Sequence, residues 1–488
     1  MVSPIWILYN KKIEKVERSP CSMKKNNILV IVTDQLTWRA LPAYGNTYAR
    51  TPNIDRIAEH AVIYDECYTP CPLCQPARTS FWSGIYPHET GVLSNGRNFP
   101  VQDLDSSVPT LGSSFSEAGY ETVHFGKRHD AGGLRGFWCE KEGQTAVPPV
   151  SDAWPVNMDT FADRYTTDHA VKWLSSYEED KPFLMVADLV NPHNICGFVG
   201  AFQGENEGID PGVPLPPLPE NFDFPDISHR PLPVQYICCS HNRQAQVSQW
   251  TPKNFQYYLA AYYHYLQRAD GEIGRILDAL YRRPDADDTL IVFLADHGDS
   301  MAARRRVTKQ VDFYEEVTRV PFLFSGKGIV PRRISHRVTS LLDLFPTLCG
   351  YAEIPIPNGL RGMDLSSELL GGSILEREYV ASEWHTEWGF TISPGRMIRN
   401  ERYKYTRYVE DGGEELYDLM TDPLETKNLV FSPDYHTALE TMRNLYRRHL
   451  KQTDDPFESM QWKADVRWRS HPVGYQNHRG IAAPQEES

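Results

Sequence analysis

Residues 27–35 read Asn-Ile-Leu-Val-Ile-Val-Thr-Asp-Gln, an apolar, β-branched run that closes on two polar side chains. An almost continuous apolar run of this length is typical of a strand buried on both faces, as in a parallel sheet. The pair Asp34-Gln35 then stands at the carboxyl end of the strand, where open α/β sheets bind their ligands. The stretch therefore predicts an α/β protein with chemistry at this strand end.

The same pattern returns further along the chain. Apolar segments at 121–125, 183–190 and 289–294 are predicted strands, and the last two run into Asn191-Pro192-His193 and Asp296-His297. Between the strands, helical patterns cover residues 51–64, 108–119, 166–177 and 254–280. Strand–helix alternation over this length predicts a large mixed, mostly parallel sheet sandwiched by helices.

From about residue 372 the pattern changes to short, aromatic-rich, alternating segments. Residues 378–384, 389–399, 403–408 and 415–419 are predicted strands, and residues 435–451 a helix. We therefore predict an extension at 1–25, an α/β catalytic domain at 26–371, and an α+β subdomain with a tail at 372–488. The Pro- and Gly-rich stretch from about 197 to 248 is predicted to cover a binding site, the alternative being a surface loop without function.

Composition limits the partners. The 488 residues include 50 Lys and Arg against 64 Asp and Glu, a net charge of −14 that argues against a general binder of nucleic acid or anionic membranes. No apolar run reaches the roughly 18 residues of a membrane span, and the first residues do not read as a signal peptide. We expect a cytoplasmic protein, or a periplasmic one if a leader is missing. Nine cysteines, an odd number spread thinly, do not form a disulfide framework.

Two local patterns carry chemistry. The two strand ends offer oxygen and imidazole ligands, a plausible site for one divalent cation, with Ca²⁺ or Mg²⁺ favoured over zinc. The candidate ligands are Asp34, Gln35, Asp296 and His297.

Cys74 precedes a helix predicted to start near Pro76, and a helix N-terminus binds anions and lowers the pKa of a thiol. A zinc or redox role for the Cys71–Cys74 pair is the weaker interpretation, because no second ligand pair follows.

The order Cys74-Gln75-Pro76-Ala77-Arg78, followed by Gly84, resembles the signature of the type I sulfatases, which have an alkaline-phosphatase-like fold. In that family the cysteine is converted to formylglycine. Other segments fall in the family's order and extend the resemblance from residue 27 to about residue 430: Asp34-Gln35, Gly126-Lys127-Arg128-His129, Asn191-Pro192-His193, Asp296-His297-Gly298, Lys309 and Leu416-Tyr417-Asp418-Leu419.

The resemblance implies a hydrolase of sulfuric esters with one bound Ca²⁺, or Mg²⁺ in its place. The ion would be held by Asp34, Gln35, Asp296 and His297 and would also touch the modified Cys74. In many relatives the second of these positions is Asp and the fourth is Asn, so Gln35 and His297 are departures.

The remaining roles are also implied by the resemblance. Cys74, as a formylglycine hydrate, would attack sulfur, and Arg78 would steady the hydrate. Lys127 and Lys309 would neutralise the sulfate oxygens. His129 would take the proton that drives sulfate expulsion, and His193 would protonate the departing sugar oxygen.

The spacing of these motifs looks most like that of bacterial hexuronate 2-O-sulfatases, which act on unsaturated disaccharides from heparin, heparan or chondroitin sulfate. The expected partners are such a sulfated sugar and a formylglycine-generating or radical maturation enzyme. Candidate substrate-binding residues are His88, Arg97, Arg304 and Arg306. Three alternatives stay open: another carbohydrate sulfatase such as an N-acetylglucosamine 6-O-sulfatase, a phosphonate or phosphate ester hydrolase, and a non-enzymatic sulfated-glycan binder.

Overall fold

The structure, a computed structural model, describes residues 26–96, 102–140, 160–202, 214–223, 230–239, 244, 246–309, 312–385, 393–409 and 412–460. The strands of the large sheet are β1 Asn27–Asp34, β2 Ala61–Tyr68, β3 Glu121–Gly126, β4 Trp138–Cys139, β5 Phe183–Pro192, β6 Thr289–Ala295, β7 Arg319–Val320, β8 Phe322–Gly326 and β9 Arg332–Ser340. A second sheet holds β10 Val380–Trp384, β11 Gly395–Arg399, β12 Tyr403–Tyr408 and β13 Glu414–Asp418.

Helices pack on the large sheet and beside the second one. They are α1 Pro52–Ala58, α2 Cys74–Ser83, α3 Pro87–Thr90, α4 Leu111–Glu117, α5 Thr160–Ser176, α6 Ile195–Ala201, α7 Leu232–Cys239, α8 Pro252–Tyr281, α9 Glu315–Thr318, α10 Leu344–Tyr351, α11 Ser366–Leu369 and α12 His436–Thr453. Among the described residues, no helix has the length and apolar character that crossing a membrane would require.

The large sheet runs in the order β4-β3-β5-β1-β6-β8-β2-β7, and β9 pairs with β2. The pairs of β1 with β5 and with β6 are parallel, whereas β8 runs antiparallel to β6. The strand β1 is buried along its whole length, as its apolar run predicts. The predicted fold class, a mixed and mostly parallel sheet with a separate antiparallel sheet, is confirmed.

The region around residue 60 departs from the prediction. The predicted helix 51–64 begins correctly, with Pro52 in its first turn, but ends at Ala58. Residues from Ala61 onward form β2 instead, which pairs with both β8 and β9. The β-branched Val62 and Ile63 fill an interior position of the sheet, and pairing with distant strands overrides the local helical pattern.

The second sheet is antiparallel in the order β10-β11-β12-β13, with α12 packed against β11 and β12. Apolar side chains from both sheets and from α2 meet in one buried cluster, in which Tyr68 and Ala77 lie with Trp384 and Met397. The domain boundary at residue 371 stays a prediction, and the extension at 1–25 lies outside the described residues.

A long segment of chain connects the end of β5 with the start of α8. Its described parts include α6, α7 and residues 214–223. The backbone carbonyl of Asn221 accepts a hydrogen bond from the backbone N–H of Arg304, and Gln244 donates one to the carbonyl of Arg305. This segment therefore lies against the chain that follows β6.

Candidate active site

Two acidic residues are neighbours because the strands that carry them pair in parallel. Thr33 at the end of β1 pairs with Ala295 at the end of β6, which brings Asp34 beside Asp296. The backbone N–H of Gln35 donates to Asp296 Oδ1 at 3.0 Å. All three side chains are buried. The carboxyl end of the sheet thus holds the acidic cluster that the sequence predicts.

Cys74 lies at the first position of α2 and points into this cluster. Its Sγ is 3.2 Å from His297 Nε2, 2.9 Å from Lys309 Nζ and 3.9 Å from Asp34 Oδ1. The helix ends at Gly84, whose φ of +73° would be strained for a larger residue, and a Cβ there would come 2.8 Å from Leu360. The motif therefore covers one helix, which begins at Cys74 in the site and is capped by Gly84 at its C-terminus.

Arg78, one turn along α2, joins three strands. Its Nη1 donates to Asp188 Oδ2 at 2.5 Å, its Nε to Asp296 Oδ2 at 2.8 Å, and its Nη2 lies 3.4 Å from Asp34 Oδ2. The guanidinium is 1% exposed. A planar fork with five donors can serve several carboxylates at once, so Arg78 holds the acidic cluster together.

The cluster has the composition of a divalent-cation site. Ligand atoms of Asp34, Cys74, Asp296 and His297 all lie within 4.8 Å of one another. Burial lowers the pKa of His297 to about 3, so its ring is neutral and can coordinate. Two carboxylates and an imidazole, with the Gln35 amide beside them, fit a divalent metal.

Two lysines, one after β3 and one in the chain after β6, contact residues of the cluster. Lys127, just after β3, forms an ion pair with Asp34, and Lys309 donates to both Cys74 Sγ and Gln35 Oε1. Burial lowers the pKa of Lys127 to about 8. Lys309 therefore reaches the nucleophile position and Lys127 reaches the acidic cluster beside it, and the part of both lysines in sulfate binding stays a prediction.

His129 and His193 follow the ends of β3 and β5 and are half-buried. Burial lowers the pKa of each, and the positive charges of Lys127 and Lys309 lower both further. Both rings are therefore neutral before substrate binds, the state from which an imidazole accepts a proton. For His193, the predicted donor of a proton to the sugar, this means that it must first gain one. Both roles stay predictions.

The thiol of Cys74 corrects one expectation. A helix N-terminus predicts a depressed pKa, but burial raises the pKa of Cys74 above its ordinary value, and Lys309 opposes this only in part. The desolvation of the thiolate exceeds the stabilising effect of the helix and the ammonium. The unmodified thiol is therefore a poorly activated nucleophile.

The predicted substrate residues have protein partners. Arg304 pairs with Glu316 at 3.1 Å and Arg306 with Asp312, and both guanidinium groups are buried. His88 has Glu383 at 2.7 Å on Nδ1 and the Thr453 carbonyl at 3.0 Å on Nε2. These three residues hold the fold together, which lends no support to a substrate contact.

Arg97 lies outside the described residues. Sequence reasoning also missed Asp188, the carboxylate at the centre of the Arg78 contacts. The signal was present, because a charged residue interrupts the apolar run at 183–190, where a strand buried on both faces has no place for an unpaired charge.

Fold and site together define a known class of enzymes. Residues 26–354 match the Sulfatase family, and residues 308–452 match the C-terminal region of N-sulphoglucosamine sulphohydrolase. The chain belongs to the sulfatase family, and the assignment as a sulfatase is confirmed.

Three individual proteins show which members of this class the chain is similar to. The chain is 45% identical over 467 residues to a Delta 4,5-hexuronate-2-O-sulfatase of Bacteroides thetaiotaomicron, covering 95% of this chain and 96% of the relative. A solved structure of a 2-O GAG sulfatase, also 45% identical, covers 94% of this chain and 99% of its own, with a TM-score of 0.88. A phosphonate monoester hydrolase of Agrobacterium radiobacter, 22% identical with a TM-score of 0.72 over 90% of this chain and 98% of that chain, shares the fold.

Proposed function

We propose that the protein removes the 2-O-sulfate of an unsaturated uronic acid in disaccharides derived from heparin, heparan or chondroitin sulfate. The substrate rests on the 45% identity, over 95% of the chain, to the Delta 4,5-hexuronate-2-O-sulfatase. The reaction rests on one geometric observation: Cys74 Sγ lies 2.9 Å from an ammonium and 3.2 Å from an imidazole, beside two buried carboxylates.

The nucleophile of this proposal is Cys74 after conversion to formylglycine by a maturation enzyme. The hydrated aldehyde supplies two hydroxyls on one carbon, one to attack sulfur and one to expel sulfate afterwards. The pKa of Cys74, raised by burial, supports a modified residue, since the unmodified thiol is poorly ionised. Arg78 fixes the acidic cluster around this position through its contacts to Asp188 and Asp296.

The charged groups divide the remaining work. In this proposal Lys127, which pairs with Asp34, and Lys309, which contacts Cys74, neutralise sulfate oxygens, whose charge changes in the transition state. Neutral His129 accepts the proton that accompanies sulfate expulsion, while His193, once protonated, donates to the departing sugar oxygen. Asp34, Gln35, Asp296 and His297 would hold a Ca²⁺, which polarises S–O bonds when bound.

Defined disaccharides test the substrate. Sulfate release is measured from unsaturated disaccharides that carry a single sulfate, either on O2 of the uronate or on O6 of the glucosamine. We expect release from the 2-O-sulfated compound at least roughly 100-fold faster, since the scissile sulfur must lie within reach of the nucleophile. Absence of release from the 2-O-sulfated uronate would refute the proposal. Release of the phenol from an aryl phosphonate ester, compared with release from the matched aryl sulfate, tests the phosphonate hydrolase alternative.

Mass and mutation test the nucleophile. Conversion of Cys74 to formylglycine lowers the mass of its peptide by about 18 Da. We expect Cys74→Ala to abolish sulfate release without changing the melting temperature, whereas Cys349→Ala, which removes another buried cysteine from α10, keeps activity. An unmodified thiol at residue 74 in fully active protein contradicts this assignment.

A further inference from the structure

The side-chain amide of Gln35 lies between two groups of opposite hydrogen-bonding character. Its Nε2 donates to Asp299 Oδ2 at 2.8 Å, and its Oε1 accepts from Lys309 Nζ at 3.0 Å. A carboxylate has no proton to donate, and an ammonium has no lone pair to accept one. Both contacts are satisfied only when the amide nitrogen faces Asp299 and the amide oxygen faces Lys309.

Asp299 is itself held in place from the helix α8. Its Oδ1 accepts from the Tyr258 hydroxyl at 2.6 Å and from the backbone N–H of Met301 at 2.8 Å. The Tyr258 oxygen in turn accepts from the N–H of Thr308 at 2.7 Å, next to Lys309. Asp299 and Tyr258 are both fully buried. One network thus fixes both neighbours of the Gln35 amide.

The orientation of the amide decides whether Gln35 can bind a cation. An amide oxygen is a ligand for hard cations such as Ca²⁺, whereas an amide nitrogen is not. Lys309 also contacts Cys74 Sγ, so the Gln35 oxygen faces the nucleophile side of the site. A flipped amide would turn two donors, Nε2 and the ammonium, toward each other.

We propose that Asp299, fixed by Tyr258, is a positioning residue that turns the Gln35 oxygen toward the divalent cation of the active site. This inference rests on the proposed function, which supplies the cation. Asp299 does not touch the ion or the substrate, and it acts through the amide alone. Partners behind a metal ligand commonly change affinity by about 10–100-fold when they are mutated.

The first test is Asp299→Asn, which keeps the shape of the side chain but replaces one carboxylate oxygen by an amide nitrogen. The introduced amide can donate to Gln35 Oε1 and so permits the flipped orientation of Gln35. We expect Ca²⁺ to bind metal-depleted D299N about 10–100-fold more weakly than wild type in isothermal titration calorimetry. Asp270→Asn is the matched control, because Asp270 is a buried carboxylate on α8 that accepts from Asn53 and Ile54. Its Ca²⁺ affinity stays at the wild-type value.

A second variant, Gln35→Glu, distinguishes an effect of Asp299 on the orientation of the residue-35 side chain from an effect of its negative charge. In Gln35→Glu the two side-chain oxygens are equivalent, so no partner is needed to turn one of them inward. The effect of Asp299→Asn is therefore measured again in Q35E, where we expect no loss of Ca²⁺ affinity. An equal loss in both backgrounds would mean that Asp299 acts only through its charge, and would overturn the inference.

The remaining outcomes are also decisive. Unchanged Ca²⁺ affinity in folded D299N overturns the inference and leaves the proposed function standing. Wild-type protein that binds no Ca²⁺ overturns the assigned cation and this inference with it. Should D299N fail to fold by circular dichroism, Tyr258→Phe replaces it, since it keeps the carboxylate but removes the hydroxyl that fixes it. We expect several-fold weaker Ca²⁺ binding in Y258F, and wild-type affinity there overturns the inference.

Discussion

At the scale of single residues, Arg78 shows how an acidic site is made stable before any ion binds. Its guanidinium lies between Asp34, Asp188 and Asp296, which come from three neighbouring strands. Without it Asp188 and Asp296 would lose their arginine partner while staying buried near Asp34, and a buried charge that loses its partner is strongly destabilising. The residue therefore serves the fold as well as the site.

Arg78→Lys tests this double role. An ammonium carries the charge but cannot bridge three carboxylates, so we expect stability to fall by on the order of 3 kcal/mol and kcat by about 100-fold. Urea unfolding and sulfate release measure the two effects. The control is Arg275→Lys, in a largely exposed pair with Asp168, where a loss of about 0–1 kcal/mol is expected. Equal effects in both variants would contradict the role of Arg78.

Residue types with distinctive chemistry were predictable from sequence. Cys74, Asp34, Asp296 and His297 stand in motifs at predicted strand or helix ends, and parallel pairing brings them together. Asp299 was not predictable as a partner of Gln35, because the contact depends on how the chain after β6 folds back toward α8. Sequence spacing does not encode such a turn, least of all with non-glycine residues at positive φ such as Met301 and Ala302.

At the scale of elements, the short helix α3 is tied to the second sheet by one imidazole. His88 Nδ1 faces Glu383 of β10 at 2.7 Å, and Nε2 faces the carbonyl of Thr453 at the end of α12. Since both partners are acceptors, both nitrogens must carry protons. Burial opposes this charge, but the hydrogen bond to Glu383 and the charges of Glu383 and Asp455 outweigh it and raise the pKa of His88 to about 9.

This contact predicts a pH-dependent stability. The folded-state pKa of His88 lies above its ordinary value of 6.5, so its stabilising effect is complete below about pH 6.5 and is lost as pH rises through about 9. We expect His88→Gln to be less stable than wild type at about pH 6 and nearly equal to it at about pH 10. Urea unfolding across this range checks the difference, with exposed His436→Gln as the control. A difference that stays constant with pH would refute the charged imidazole.

Element boundaries show where sequence reasoning stops. The strands β1 and β6 and the long helix α8 match their predicted positions within two residues. The two strands are continuous apolar runs and the helix has a clear apolar periodicity, so all three signals are strong. The strands β7, β8 and β9 were not predicted. The strand β7 has two residues, β8 has five, and β9 is rich in polar residues, so none of them gives a clear signal by itself. All three pair with β2, and β8 also pairs with β6.

At the scale of the whole molecule, a buried ion pair joins the second sheet to the helix α9, which directly precedes β7 of the large sheet. Lys404 on β12 is 1% exposed and contacts Glu315 of α9 at 2.7 Å and Glu425 at 2.8 Å. Burial raises the pKa of Glu425 to about 7, in spite of the lysine. The second sheet therefore does not rest on apolar contacts alone, and its separation from the first would expose several paired charges.

Lys404→Met should weaken both sheets together. It leaves Glu315 and Glu425 buried without their ammonium partner, so we expect a loss of about 3–5 kcal/mol. We also expect one unfolding transition, with amide protons of β1 and β11 exchanging in parallel in hydrogen-exchange experiments. Lys327→Met, in a pair with Asp288 that is about half exposed, is the control and loses little. Early exchange confined to β11 would show that the sheets unfold independently.

The net charge of the molecule is opposite in sign to the charge of the basic side chains near Cys74. The net charge is −14, yet Arg78, Lys127 and Lys309 all reach the buried cluster around Cys74. An acidic surface repels a long sulfated chain, whereas a short fragment inside the protein is exposed mainly to the local cations. The net charge together with the local cations thus agrees with a small substrate.

The chain between β5 and α8 starts at the candidate acid His193 and ends about two turns before Tyr258. His193 follows a strand of the large sheet and Tyr258 lies on a helix packed against that strand, so elements outside the interval hold both residues. Within the interval, Asn221 and Gln244 contact Arg304 and Arg305, so length changes are best placed away from these two positions. Doubling the length of such a loop costs only about 0.6 kcal/mol of closure entropy. On the prediction that this interval covers the binding site, drift within it after gene duplication would alter sugar preference, and a library of variants confined to residues 202–250 would test this in the laboratory.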